Sequence, residues 1–218
     1  MNFIYSDKGI CAPKGFRASG IHCGVRKNKS KRDLALILSD AKCATAALYT
    51  TNLVKGAPIT VTKKNIADGW SQAAIVNSGN ANTCNANGIE IAEKMCELVQ
   101  KHTGIPAGDV VVASTGVIGQ PLDITPIADG MDKLVKNLGY DNSIAANEAI
   151  MTTDTKTKSV AVTFELDGKS CAIGGIAKGS VCSTPTSQQC SYSSRPMFQS
   201  PPICSKRLSR LTLPTPLT

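Results

Sequence analysis

A layered α/β (α+β) domain is what this 218-residue sequence predicts. Two observations carry that reading: short apolar runs alternate with amphipathic repeats along residues 1–180, and the stretch closes on a hairpin pattern. Asp33–Ser39 (DLALILS) and Ala73–Asn77 (AAIVN) are apolar and bounded by polar turns, as buried strands are. Asp109–Ser114 (DVVVAS) is the clearest strand, because three successive valines favour an extended chain. Between these runs, Ile91, Met95, Leu98, Val99 and His102 recur at helical spacing, and Gly104 with Pro106 stops that helix.

A second helix opens with Thr125 as cap and Pro126 in its first turn. It carries Ile127, Met131, Leu134, Val135 and Leu138 on one face and is expected to end at Gly139. A short third helix is expected from Ser143 to Ile150. Ser159–Glu165 alternates as a strand does, Asp167-Gly168 supplies a turn, and Ser170–Ile176 returns.

Bulk properties narrow the function classes. No apolar run approaches bilayer length, and Met1–Lys8 lacks a basic head followed by an apolar stretch, so the expectation is a cytoplasmic protein with no membrane partner. The net charge of +8 is unevenly distributed. Residues 1–180 hold 20 Lys/Arg against 16 Asp/Glu, leaving +4, and the last 38 residues hold four basic groups and no acid. The one basic run of the body, Arg26–Arg32, has no interleaved aromatic residues and is read as a solvated loop before a strand. No nucleic-acid partner is expected. The nine cysteines form no C-x-x-C pair in the body. His22 beside Cys23 is more often structural than a zinc site, so reduced, buried thiols and no metal are expected.

From Val181 the composition changes. The final 38 residues contain eight Ser, six Pro and three Cys, but no Gly, Asp or Glu, and no sustained hydrophobic period. The expected organisation is therefore a folded part over 1–180 and a disordered tail over 181–218.

Six strings in the folded part share order and spacing with a known family. They are Gly15–Gly20 (GFRASG), Tyr49–Val54 (YTTNLV) with Ala57-Pro58, Asn77–Asn82 (NSGNAN), Ala113–Gly119 (ASTGVIG), Ala149–Thr155 (AIMTTDT) and Gly174–Ser180 (GGIAKGS). Each alone marks little more than a turn. Together they resemble the glutamate N-acetyltransferase (ornithine acetyltransferase) family of arginine biosynthesis, and they correspond to its N-terminal, alpha-chain part.

The resemblance implies a self-processing fold of the N-terminal-nucleophile type. Such a chain cuts itself before an internal threonine, whose freed α-amine serves as base for its own hydroxyl. That threonine takes acetyl from N2-acetylornithine and passes it to glutamate, with no cofactor; some members also accept acetyl-CoA. The alpha chain pairs with the beta chain from the same cleavage, as a heterotetramer of two alpha and two beta chains. Each tetrahedral intermediate carries an oxyanion that needs fixed donors. The resemblance gives that catalytic, oxyanion-hole role to Thr115 and Gly116, and substrate binding to Thr152, with Thr153 as the neighbouring candidate, and to Lys178. Read without the family, Ser114–Gly116 is a strand-ending turn, Thr152–Asp154 a helix stop, and Lys178 a solvated charge. An amidohydrolase with the same apparatus, and a non-catalytic remnant or complementing subunit, are the competing readings.

The family pattern breaks after Ser180. There it continues close to GMIxPNMATML, whose threonine is the nucleophile, whereas this chain has Gln189 at that place and no nucleophile. The genetic code supplies an explanation. If a single G is missing after the Ser180 codon, the degenerate codons for Val181–Ser191 permit GMLHPNIATML in the restored frame. The codon at Gln189 can then become only Thr or Ala, and that at Cys190 only Met or Val. The recovered threonine falls eleven residues after Lys178, which is the family spacing. Residues 181–218 are thus expected to be an out-of-frame translation, and the chain as written is expected to be inactive alone. Sequencing of the gene through codon 180 is expected to reveal this threonine in the adjacent frame; its absence there refutes the frameshift.

Overall fold

The computed structural model describes residues 2–179. Seven strands and four α-helices follow one another in the order β1 (Ile4–Tyr5), β2 (Phe16–Ile21), β3 (Leu34–Ala44), α1 (Ala57–Asn65), β4 (Trp70–Asn77), α2 (Gly88–Thr103), β5 (Val110–Ser114), α3 (Thr125–Lys136), α4 (Ser143–Ile150), β6 (Lys158–Leu166) and β7 (Lys169–Ala177). They make two sheets. One has the order β2-β3-β4-β5, antiparallel except for the parallel pair β4–β5; the other is the antiparallel β1-β6-β7.

Alternation along β3 explains the layering, since successive side chains of a strand point to opposite faces. Leu34, Leu36 and Leu38 join Val61 of α1, Ile91, Met95 and Val99 of α2, and Ile127, Met131 and Leu134 of α3 in the main core. Ala35 and Ile37 look the other way and join Ala146, Ala149 and Ile150 of α4, together with Ile10 and Ile176. Helix α4 therefore lies between the two sheets, and the layers run helices, sheet, helix, sheet. The small residues on the α4 side let that helix approach closely. A Cβ added at Gly20 would stand 1.9 Å from the Ala145 carbonyl oxygen. Among the described residues no helix is long and apolar enough to cross a membrane.

The expected elements are present, with differences at their ends. Thr125 is the first residue of α3 rather than its cap; Ile124 holds the cap position, and the Asp123 carboxylate just before it accepts the Thr125 N–H at 2.9 Å. The same helix ends at Lys136. Gly139 lies beyond it, where it exchanges hydrogen bonds with Ala18 of β2. That cross-link to the sheet edge competes with one more helical turn. Gly104 does end α2, at φ 78°. Asp167 (φ 51°) and Gly168 (φ 71°) both take the left-handed conformation that a tight hairpin turn requires.

Burial of the cysteines also differs from expectation. None of the six in the described region is paired, yet only Cys11 and Cys96 are buried, and Cys84 is exposed. Burial pushes the Cys96 thiol up to about 12 and that of Cys11 to about 11, so neither is a nucleophile near neutrality.

Gly20→Ala should lose about 3 kcal/mol or more, because the clash is with backbone that moves only if α4 lifts from the sheet. Urea denaturation of the variant is the check; unchanged stability would show that α4 is not seated so closely.

Candidate active site

Strands β4 and β5 end side by side, and the chain leaving each is fixed by one amide. Asn77, fully buried at the end of β4, donates from Nδ2 to Ser114 Oγ at 2.7 Å and to the Asn80 carbonyl at 3.1 Å. Its Oδ1 accepts the N–H groups of Gly79 (3.0 Å) and Asn80 (3.1 Å). The Asn77 carbonyl in turn accepts the N–H of Thr115 at 2.9 Å. This network turns the chain at Ser78–Asn80 and holds it against Thr115-Gly116. Gly116 sits at φ 134°, and a Cβ there would come within 2.6 Å of the Gly79 carbonyl. Only glycine fits that conformation and approach, and the Gly116 backbone is left exposed beside a half-buried Thr115.

Lys178 reaches this point from the end of β7. Its Nζ donates to Thr115 Oγ1 at 2.9 Å and to Thr152 Oγ1 at 3.0 Å. Three of the residues singled out from sequence, each in a different string, thus meet at one amine, and Gly116 adjoins it through Thr115. Of the two threonine candidates, Thr152 is half-buried and touches the lysine, whereas Thr153 is exposed. The expected nucleophile position, Gln189, lies outside the described residues.

Charge around the amine is arranged by residues that local sequence reading did not single out. Asp154, with its side chain fully buried, accepts the Gly179 N–H (2.7 Å) and the Lys158 ammonium (2.7 Å) on one oxygen and the Thr152 N–H (3.3 Å) on the other. Burial opposes its charge, but Lys158 and the two N–H groups outweigh that and hold the carboxyl at about 2 instead of 3.8. It therefore clamps the backbone on both sides of the site, at Thr152 and at Gly179. Burial lowers the Lys178 amine below its ordinary value; Asp154 opposes this, and Arg26 and Lys158 add to it.

Arg26 is the larger surprise. The basic run was read as solvated, and Lys27, Lys29 and Lys31 are indeed exposed. Arg26 instead turns inward. Its guanidinium donates to the Ser78 carbonyl through Nε (2.8 Å) and Nη2 (2.6 Å), and to the Met151 carbonyl. It joins the turn that carries Gly79 to the string that carries Thr152. The loop that aims it is held by Asp33, 0 % exposed, whose carboxylate accepts the N–H groups of Cys23 (2.7 Å), Gly24 (3.2 Å) and Arg26 (2.9 Å). His22 also contacts Asp33, at 3.1 Å. The His22-Cys23 pair thus serves this loop, and among the described residues no cluster of three metal-ligating side chains occurs.

An ammonium offers three N–H donors, and the two threonines accept two of them. With Arg26 and Lys158 nearby, the field favours an anionic ligand, and the Thr115-Gly116 edge supplies fixed polar groups next to it. Fold and site together define a layered two-sheet α/β protein with a cationic, hydroxyl-lined site at the end of a parallel strand pair.

Comparison with known proteins gives that class its family. The chain belongs to the ArgJ family, whose model matches residues 17–187. It is 43% identical over 175 residues to the arginine biosynthesis bifunctional protein ArgJ of Caldanaerobacter subterraneus subsp. tengcongensis, covering 80% of this chain and 43% of that protein. It is 45% identical over 181 residues to the ArgJ protein of Gloeobacter violaceus, covering 82% of this chain and 44% of that one. The chain therefore spans less than half the length of these relatives. Among solved structures, the ArgJ crystal structure from Bacillus halodurans superposes with a TM-score of 0.77 at 38% identity, over 84% of this chain and 97% of that one. The ornithine acetyltransferase of Mycobacterium tuberculosis, solved with ornithine, gives 0.76 at 33% identity, over 85% and 99%. The mixed α/β architecture expected from the sequence is the one these structures share.

The Asp154 carboxylate makes a pH prediction. A group held below its unfolded value adds stability that is complete above about 3.8 and lost as pH falls through about 2. Asp154→Asn should cost about 2 kcal/mol at pH 7. The gap from the unsubstituted protein should narrow as urea titrations are repeated from pH 5 towards pH 2. A gap independent of pH would show that the charge is not what matters.

Proposed function

We propose that residues 1–180 form the N-terminal, alpha-chain part of an acetyltransferase that moves acetyl from N2-acetylornithine to glutamate in the cytoplasm. The observation that carries this reading is the meeting of Thr115, Thr152 and Lys178 at one amine, on a chain of the ArgJ family. In the proposed chemistry, Thr115 and the exposed Gly116 backbone stabilise the oxyanion of each tetrahedral intermediate. Lys178 and Thr152 bind substrate, the ammonium serving as a compact point charge for a carboxylate. Arg26 and Asp154 are positioning residues: one fixes the distance between the two strings, the other clamps the backbone that bears Thr152 and follows Lys178. Supplying acetyl-CoA in place of N2-acetylornithine in the transfer assay decides whether it is a second donor. The intact enzyme needs a beta chain that begins at the nucleophilic threonine and assembles as two alpha and two beta chains.

Residues 181–218 are, on the same proposal, an out-of-frame tail that removes this threonine. The chain as written then neither cleaves itself nor transfers acetyl, while keeping the groups that recognise substrate. Two preparations test this. The polypeptide as written should show no transfer from N-acetylornithine to glutamate, and a gene with the frame restored should show it. In calorimetric titration the written chain should still bind N-acetylornithine, and Lys178→Ala should weaken that binding on the order of tenfold, the scale of one lost charge-assisted hydrogen bond. Transfer by the written chain, or binding indifferent to Lys178, would contradict the assignment.

A further inference from the structure

We infer that Lys178 is itself an acyl acceptor: in this chain its amine is the nucleophile at the site and becomes Nε-acetylated by acetyl esters and thioesters faster than the surface lysines. This rests on the proposed reading of the site as one that receives acyl groups, and goes beyond it by assigning a covalent modification to a residue otherwise held to bind substrate.

The geometry makes the case. A neutral amine has two N–H bonds and one lone pair, and two threonine oxygens stand at 2.9 and 3.0 Å from Nζ. Thr115 and Thr152 can therefore take both N–H groups and leave the lone pair aimed away from them. Neutral hydroxyls satisfy the uncharged amine as well as the charged one, which a carboxylate would not do. Asp154, the carboxylate that acts on Lys178, is engaged by Lys158, Gly179 and Thr152. Two further cations, Arg26 and Lys158, stand on the same side of the balance as burial in disfavouring an ammonium. By contrast Lys64, Lys94 and Lys42 are paired with carboxylates of Glu93, Glu90 and Asp109. An acyl carbonyl in reach of Nζ also lies beside the exposed Gly116 backbone, where a developing oxyanion meets polar groups. The sequence has glutamine where the family's nucleophilic threonine is expected.

The step balances without a cofactor. The Nζ lone pair attacks the acetyl carbonyl carbon, and a C–N bond forms. The C–O or C–S bond then breaks, and the electron pair leaves with the alcoholate or thiolate. The proton released from nitrogen goes to solvent. The product is a stable amide, so the site is blocked after one turnover.

The test uses the full chain with limiting p-nitrophenyl acetate at pH 8, and peptide mass spectrometry reads acetylation at each lysine. Lys178 should be modified on the order of tenfold faster than exposed Lys101 and Lys133. That preference should vanish in urea and shrink in Thr152→Val, which removes one hydroxyl acceptor. Saturating N-acetylornithine should slow Lys178 alone. Equal rates at Lys178 and the exposed lysines of the folded chain would overturn the inference, as would a preference that survives in urea. Calorimetric binding of N-acetylornithine, measured on the same sample, separates the two readings. Binding without selective acetylation sinks only this inference, whereas loss of both sinks the site assignment as well.

Discussion

A fully buried carboxylate, Asp33, sits just before the longest strand of the sheet, and three backbone N–H groups of the preceding loop converge on it. An ionic group is tolerated in such surroundings only when its acceptor sites are filled. Those same N–H groups belong to residues that have no regular structure of their own. Those bonds hold the loop in the arrangement that sends Arg26 inward. From there the guanidinium ties Ser78 to Met151, and Ser78 Oγ donates to the Ala149 carbonyl at 2.5 Å. Helix α4, the turn after β4 and the string carrying Thr152 are joined at one place, and the spacing that lets Lys178 touch two threonines follows from that junction.

The site built on this junction is cationic but not saturated with anions. Asp154 lies close enough to favour the Lys178 charge, yet its hydrogen bonds go to Lys158 and to backbone. Lys178 is left with hydroxyl partners. That division of labour gives a lysine whose third donor is directed to a ligand when charged, and whose lone pair is open when neutral.

Much of the fold was legible because it obeys local rules. The apolar runs of β4 and β5, the 3.6-residue period of α2, and the Asp167-Gly168 turn each depend on residues a few positions apart. Strand β2 and helix α1 are not legible as elements from local pattern, although most of β2 and the first two residues of α1 lie inside family strings. Phe16–Ile21 shows no clear apolar alternation: Ala18 and Gly20 lie on the face packed against α4, where a side chain at 20 would clash, and Arg17 pairs with Asp40. Helix α1 has Pro58 in its first turn and a short, weakly amphipathic face, so its period is faint. The helical pattern runs through Val135 and Leu138 to an expected end at Gly139, but α3 ends at Lys136, because the hydrogen-bond exchange of Gly139 with Ala18, over a hundred residues away, draws the chain off.

By itself the sequence determined the layered α/β class and the positions of its strongest strands and helices, and through family strings it named Thr115, Gly116, Thr152 and Lys178 as candidate site residues. It also carried the change of composition at Val181, and the proposal of an out-of-frame tail rests on codons rather than coordinates. Tertiary structure alone decided that Thr115 and Thr152 share the Lys178 amine, that Arg26 leaves its basic run for the interior, and that Asp154 clamps the backbone at Thr152 and at Gly179. Local pattern records which residues prefer an extended or helical chain. It holds no record of a hydrogen bond between positions 26 and 151, or 115 and 178, because such contacts arise only when packing of the two cores has fixed where each strand ends.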